Sequence, residues 1–215
     1  MRPTWQPLLP CAAAGPAAYD GTMSNVVPPA SLPFTGNLEA DALLAADPLA
    51  LLIGFTLDQQ VTVQKAFAGP LELRRRAGTL DAAALAAMDP EAFATAFRSP
   101  PALHRFPRSM AGRVQGLCAV IASEYGGDAA RVWTGAADAR DLRARLKALP
   151  GIGDEKAATI AALLAKQLGV RPAGWEDELP DHPTLAEVDS AEALAEYQDG
   201  KRAHKAELRA RAKPG

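Results

Sequence analysis

The sequence predicts an all-α fold of eight to ten short helices, and three observations support that prediction. Alanine, the strongest helix former, occupies 47 of the 215 positions and leucine 26, whereas valine and isoleucine together occupy only 13. Signals for the start of a helix recur along the chain. No segment shows the alternation of apolar and polar residues that marks a half-buried strand. These observations exclude a β-sandwich or a β-barrel.

The predicted elements begin after an N-terminal extension. Residues 1–33 are rich in Pro, Ala and Gly and show no periodicity, so we expect a disordered segment that contributes nothing to the core. Further along, Asp followed by Pro is a strong start signal, because the carboxylate caps free amides and Pro fits the first helical turn. Together with glycine stops, such signals predict helices over residues 49–57, 82–88, 91–98, 108–125, 138–149, 154–168 and 191–212.

The domain organisation follows from these elements. We expect one helical domain over residues 34–175, on which an acidic loop and a basic C-terminal helix over residues 176–215 pack. No apolar run approaches the roughly 20 residues of a membrane span, and prolines near the start interrupt any signal peptide. Cys11 and Cys118 are too few for a four-cysteine cluster, and the three histidines lack metal-ligand spacing. These patterns predict a cytoplasmic protein that has no membrane partner, no cofactor and no iron–sulfur cluster.

Charge is segregated along the chain although the net charge is only −2. Residues 98–171 carry 12 basic and 6 acidic groups, and residues 172–199 carry 9 acidic groups and no basic one. The last 16 residues carry 6 basic groups and 1 acidic group. A basic middle and a basic tail around an acidic stretch favour a polyanionic partner, although a solvated helix face gives the same count.

The most specific local feature lies between two predicted helices and reads Leu149-Pro150-Gly151-Ile152-Gly153. Two glycines around one apolar residue indicate a tight hairpin that Ile152 anchors in the core. The next helix begins at the open side of this hairpin, where its free N–H groups and positive dipole end can bind a phosphate. An ordinary turn without a ligand is the alternative, but the leading Leu-Pro and Ala157 make the pattern more specific.

The hairpin resembles the helix-hairpin-helix motif of the base-excision DNA glycosylase superfamily. Residues 51–60, an apolar helix that ends in a turn with Gln59 and Gln60, are similar to the early helix of that superfamily. The similarity covers residues 34–175 and looks particularly close to a bacterial branch with Leu-His-Arg-Phe-Pro and Gly-Trp-Glu segments, here at 103–107 and 174–176. The resemblance implies a helix-hairpin-helix glycosylase-like fold and a monomer that binds double-stranded DNA in the nucleoid.

The resemblance also implies which residues contact DNA. The hairpin amides hold a backbone phosphate, and a monovalent cation lies on the backbone carbonyls of Lys147, Leu149 and Ile152. The glutamine turn fills the gap that an everted base leaves, which assigns Gln59 with Gln60 beside it; a polar helix end is the alternative reading of the pair. Lys156 is expected to contact a phosphate or to be solvated. Charge adds the basic tail to the DNA contacts, with a solvated helix as the alternative, through Lys201, Arg202 and Lys205.

The catalytic residues are where this sequence departs from the superfamily. Release of a base builds positive charge on the sugar, so a carboxylate is required. The aspartate of the superfamily falls on Ala173, and the nearest acids, Glu176 and Asp177, become the candidate catalytic residues. The Schiff-base lysine of lyase members falls on Glu155, and the adjacent Lys156 is expected to face away from the reacting sugar.

The sequence therefore predicts a monofunctional DNA N-glycosylase of base-excision repair. One alternative is a catalytically inactive DNA-binding or damage-recognition protein of the same fold. The other is a helical protein that uses the hairpin for protein contacts.

Overall fold

A computed structural model of the chain describes residues 29–211, with side chains described as far as Ala203. Within this range the chain is helical and contains no strand, which confirms the predicted all-α class. Two short 3-10 turns, Trp175–Glu178 and Leu185–Glu187, follow the ninth helix. The α-helices are α1 (Leu38–Ala46), α2 (Pro48–Leu57), α3 (Val63–Ala77), α4 (Ala82–Ala87), α5 (Pro90–Arg98), α6 (Pro107–Glu124), α7 (Arg131–Thr134), α8 (Ala139–Ala148), α9 (Asp154–Lys166) and α10 (Ala191–Arg211).

Helix α2 lies at the centre of the core. Every residue from Leu49 to Leu57 is buried, and the helix contacts α1, α3 and α6. The ring of Phe67 on α3 meets the rings of Phe55 and Phe34 edge-on, at centroid distances of 5.0 and 5.1 Å. Helices α4 and α5 pack against α6, and α8 packs against α9. The polar turn at residues 58–60 directly follows the buried helix α2, which anchors it at the surface.

Close packing of α2 and α3 depends on glycine. A Cβ atom built on Gly54 would lie 2.6 Å from the Phe67 ring, and one on Gly69 would lie 2.5 Å from Leu57 Cδ1. No bounds for α3 could be predicted, because Gly69 and Pro70 both read as helix breakers. The helix continues through Pro70 at the loss of one backbone N–H donor.

The helix starts agree with the capping signals. The carboxylates of Asp47, Asp89 and Asp138 accept amide hydrogens of the following turn. Helices α2, α5 and α6 begin at the proline itself, one residue earlier than predicted, and the predicted C-terminal ends of several helices lie one or two residues too far along the chain. Such shifts are expected where terminal turns fray.

The predicted boundary at residue 33 is slightly late. Leu32 is fully buried, and its N–H donates to the Asp41 carbonyl at 2.9 Å, so the last residues of the expected extension belong to the core. The preceding residues 1–28 lie outside the described part. At the other end, α10 is tied to α3 by reciprocal bonds between Gln64 and Gln198, at 2.9 and 3.4 Å.

No single helix within residues 29–211 is long and apolar enough to cross a membrane. Helices α1 and α2 pass that test of length and composition only as a pair, bent by 114°.

Candidate functional site

The hairpin between α8 and α9 packs directly on the last turn of α2. Gly151 has φ +86°, and a Cβ atom there would lie 2.9 Å from Thr56 Cγ2. Ile152 is buried as predicted, and its N–H donates to the Leu149 carbonyl at 3.1 Å. The fold itself therefore requires glycine at position 151.

Gly153 differs from Gly151 in both respects. Its backbone, with φ −88° and ψ −177°, suits any residue, and a Cβ atom there would meet no atom within 4 Å. It caps α9 without a side-chain bond, and the amides of Gly153, Asp154 and Glu155 donate no hydrogen bond within the described residues. The fold leaves this surface open and these amides free.

Acidic and basic side chains alternate around the start of α9. Asp154 pairs with Lys147 and with Arg143, each at 3.0 Å, and these two bonds lower the pKa of the carboxyl. Arg143 also bonds Glu178 at 2.8 Å. The negative charge that Asp154 brings to the helix start is therefore compensated by two cations.

The backbone carbonyls near the hairpin differ in whether they accept a hydrogen bond. The Leu149 carbonyl already accepts the Ile152 amide. The carbonyls of Lys147 and Ile152 accept no bond among the described residues. These three oxygens retain lone pairs that can bind a monovalent cation.

A cavity of about 1040 Å³ begins at the first turn of α9. Asp58 and Lys156 line it, together with Tyr197 and Lys201 of α10. The loop at residues 181–184 and the second 3-10 turn complete the wall. The cavity thus lies beside the end of α2 and the start of α9, and neither the hairpin residues 149–153 nor the two glutamines line it.

Lys156 lines this cavity and is half-buried, and the phosphate contact or solvation expected for it stays a prediction. Its ammonium donates to the Phe55 carbonyl at 2.7 Å and lies 3.5 Å from the Gly151 carbonyl. One helical step from Glu155 turns the side chain toward the C-terminal end of α2, whose free carbonyls attract a cation. The structure therefore uses Lys156 to join the hairpin to α2.

The electrostatics of the cavity follow from burial. Burial lowers the pKa of Lys156 to about 8, although the negative charge of Asp58 opposes that change. Burial also raises the pKa of Asp58, against the positive charges of Lys201 and Lys156. No ion pair within 4.0 Å joins Asp58 to either lysine in the described part of the chain. The Asp58 carboxyl and the amines of Lys156 and Lys201 can therefore still form hydrogen bonds with a ligand.

The two glutamines after Asp58 have different surroundings. The Gln59 side chain donates to the Thr56 carbonyl at 3.0 Å and accepts from Arg113 at 2.5 Å. Gln60 is exposed, with φ +56°, and is the one residue other than glycine with a positive φ in the described range. Gln59 is held by its neighbours, whereas Gln60 forms the tip of the turn.

The part of the acidic loop that carries the two predicted catalytic residues does not reach the cavity. Glu176 and Asp177 are exposed on the first 3-10 turn, and neither lines the cavity. Glu178 fixes that turn to α8 through its bond with Arg143. Neither of the two predicted catalytic carboxylates therefore lies at this cavity.

The basic tail divides into residues with different surroundings. Lys201 lines the cavity, with Nζ 5.1 Å from the centre of the Tyr197 ring. Arg202 is exposed and pairs with Asp199 on the same helix. Lys205 lies beyond the residues whose side chains are described.

Two site residues escaped prediction. Asp58 directly precedes the glutamines at the polar end of an apolar helix, which was a usable signal. His104 is fully buried and bonds Gln59, a contact across 45 positions that sequence patterns do not reveal. No group of three or more metal-ligating side chains occurs among the residues that the structure describes. Neither known protein-family models nor curated protein sequences match this chain.

Proposed function

We propose that this protein binds double-stranded DNA through a helix-hairpin-helix fold of the glycosylase type and releases a damaged base as a monofunctional DNA N-glycosylase. One observation carries the proposal. The cavity is lined by Lys156 in the first turn of the helix that follows the hairpin, and by Asp58, which directly precedes the two glutamines. A protein that holds a DNA strand while it examines one everted nucleotide needs this order of parts.

The hairpin supplies the phosphate contact. The amides of Gly153, Asp154 and Glu155 donate no hydrogen bond within the described residues, and the absence of a side chain at Gly153 lets a phosphate approach them closely. A monovalent cation on the carbonyls of Lys147, Leu149 and Ile152 would add positive charge at the same strand. Phosphate contacts of this kind fix position without reading sequence.

The cavity receives the everted nucleotide. Its volume of about 1040 Å³ lies at the upper end of the range for small-molecule sites, so a nucleoside fits. Gln60, as the exposed tip of the turn, fills the gap in the duplex. The adjacent Gln59 is held in place by its bond with Arg113. Filling that gap lowers the free energy needed to unstack the base.

Asp58 is the carboxylate that this geometry favours for catalysis. It lines the cavity, unlike Glu176 and Asp177, and its charge can stabilise the cationic sugar that forms as the base leaves. Lys156 lines the same cavity, but its amine is held by a hydrogen bond to the Phe55 carbonyl at 2.7 Å. An amine held in this bond is not free to attack the sugar, so we expect the reaction to stop at the abasic site.

Base release from duplexes that each carry one modified base tests this proposal. Asp58→Asn should abolish release while it spares binding, because the lost charge stabilises the transition state more than the bound complex. The matched control is the double variant Glu176→Gln with Asp177→Asn, which should retain activity. Strand breaks should appear only after alkali treatment, and borohydride should trap no covalent adduct.

Other outcomes reassign the function. Activity lost in the control variant but kept in Asp58→Asn returns catalysis to the acidic loop. An adduct that disappears in Lys156→Ala contradicts the monofunctional mechanism. Duplex binding without release from any substrate favours the second candidate, an inactive damage-recognition protein of the same fold, which the exposed Glu176 and Asp177 support.

A further inference from the structure

The imidazole of His104 joins two segments of the chain. The ring is fully buried, and Nδ1 accepts the Phe106 N–H at 3.0 Å. Because Nδ1 is an acceptor, Nε2 carries the hydrogen, which it donates to the Gln59 carbonyl at 2.7 Å. One neutral side chain thus connects the turn after α2 with the start of α6.

Both connected segments present an exposed tip. Gln60 follows Gln59 directly and adopts the left-handed backbone region, which is unfavourable for a residue with a Cβ atom and needs support from its surroundings. Phe106 is 43% exposed, one of the two large apolar side chains exposed in the described part of the chain. The guanidinium of Arg105 lies 4.9 Å from the centre of its ring.

The surroundings of His104 carry positive charge. Burial lowers the pKa of the imidazole, and the charges of Lys65 and Arg105 lower it further. Arg113 bonds the Gln59 side chain on the same face. Burial, with a smaller contribution from Lys65 and Arg105, favours the neutral imidazole in which Nδ1 is an acceptor. The cations and the exposed aromatic ring together suit a nucleic-acid strand.

We infer that His104 is a positioning residue that holds Gln60 and Phe106 at a fixed spacing, so that both tips engage one DNA duplex at the site of an everted nucleotide. The inference deepens the proposed function and rests on it. His104 contacts no DNA itself. It acts through the Gln59 carbonyl on one side and the Phe106 amide on the other.

Two substitutions separate the two bonds of the imidazole. His104→Asn keeps a side-chain acceptor two residues before the Phe106 amide, the geometry of an Asx turn, but is too short to reach Gln59. His104→Gln reaches further and can keep the donor to Gln59. The asparagine variant therefore releases the glutamine turn, and the glutamine variant is its matched control.

The test is a double-mutant cycle on affinity for a duplex with one tetrahydrofuran abasic-site analogue. Gln60→Ala should weaken this binding about threefold to tenfold, and His104→Asn should weaken it to a similar extent. In the His104→Asn background, Gln60→Ala should have less than about a twofold further effect, since the tip is already misplaced. His104→Gln should bind nearly as well as the wild type, and all variants should bind an intact duplex equally.

Additive effects of His104→Asn and Gln60→Ala would overturn the inference, because a residue with only a structural role lowers affinity independently of Gln60. If His104→Asn does not fold, the wild type provides the test. The Nε2–H resonance of His104 should shift on addition of the abasic-analogue duplex and not of the intact duplex, and an unchanged resonance overturns the inference.

If the wild type binds the duplex but the effects of His104→Asn and Gln60→Ala are additive, only the role of His104 is rejected. If the wild type binds neither the intact nor the abasic-analogue duplex, the proposed function is rejected and this inference with it.

Discussion

At the residue scale, the environment of Lys156 explains how a lysine next to the hairpin comes to be buried. A protonated ammonium bound to the last carbonyls of α2 stabilises that helix end, whereas partial removal from water opposes the charge. The second effect is larger, because the pKa falls to about 8. Lys156 therefore makes a contribution to stability that depends on pH.

The sign of that dependence follows from linkage. Between pH 8 and the ordinary lysine pKa of about 10.4, the unfolded chain binds a proton at Lys156 that the folded protein does not, so stability rises with pH across this window. We expect the free energy of unfolding of the wild type to increase relative to that of Lys156→Met between pH 8 and 10. Chemical denaturation of both proteins measures it, and a constant difference over this range would show that the pKa is not lowered.

Residue-level roles were only partly predictable. The core position of Ile152 followed from the Gly-Ile-Gly spacing, and the aspartate caps followed from Asp-Pro pairs. The bond from Lys156 to the Phe55 carbonyl was not predicted, because helical rotation gives a direction but does not reveal that the end of α2 lies there. The difference between Gln59 and Gln60 likewise depends on Arg113, which is 54 positions away from Gln59 in the sequence.

At the element scale, the crossing of α2 and α3 fixes the position of the glutamine turn. The two helices approach closely because Gly54 faces the ring of Phe67, and that ring is held between Phe34 and Phe55. The ring has little room to move, so a methyl group at position 54 must push the helices apart.

We therefore expect Gly54→Ala to destabilise the protein by about 1–3 kcal/mol, despite the better helix propensity of alanine. Gly112→Ala on α6 is the matched control, since a Cβ atom there meets nothing within 4 Å. The control should be stabilising by up to about 1 kcal/mol. Thermal unfolding followed by circular dichroism measures both, and equal stability of the two variants would contradict this account of the crossing.

The positions at which helices begin were predicted well, but the presence of some helices, such as α3, was not predicted. Caps are local signals, and the carboxylates of Asp47 and Asp89 are sufficient to place α2 and α5. Helix α3 escaped prediction because its stability comes from packing on α2, which offsets the bond lost at Pro70. Local sequence cannot report that tertiary contribution.

At the scale of the whole molecule, the segregated charges meet around the hairpin and the cavity. The acidic segment supplies Glu178 to Arg143, which also holds Asp154 at the start of α9. The basic tail brings Lys201 to the cavity that Lys156 also lines. The charge pattern in the sequence thus indicated which parts of the chain surround the site, although it could not indicate which acidic and basic side chains form ion pairs.

The hairpin is the part of the account on which the rest depends. Gly151 is required by the fold, but nothing within the described structure requires glycine at position 153. Gly153→Val should therefore leave helical content unchanged and lower the melting temperature only slightly, because valine is a poorer N-cap than glycine. If a phosphate approaches the free amides of α9, the same side chain should block it.

The most direct measurement compares the affinity of the wild type and of Gly153→Val for a duplex oligonucleotide between 50 and 200 mM salt. We predict that wild-type affinity falls with salt by about 0.9 log unit per log unit for each phosphate neutralised. We predict that Gly153→Val binds every duplex roughly 10- to 100-fold more weakly, which corresponds to the loss of charge-assisted hydrogen bonds to one phosphate. Equal affinity of the two folded proteins, or wild-type affinity that does not change with salt, would contradict DNA binding by the hairpin.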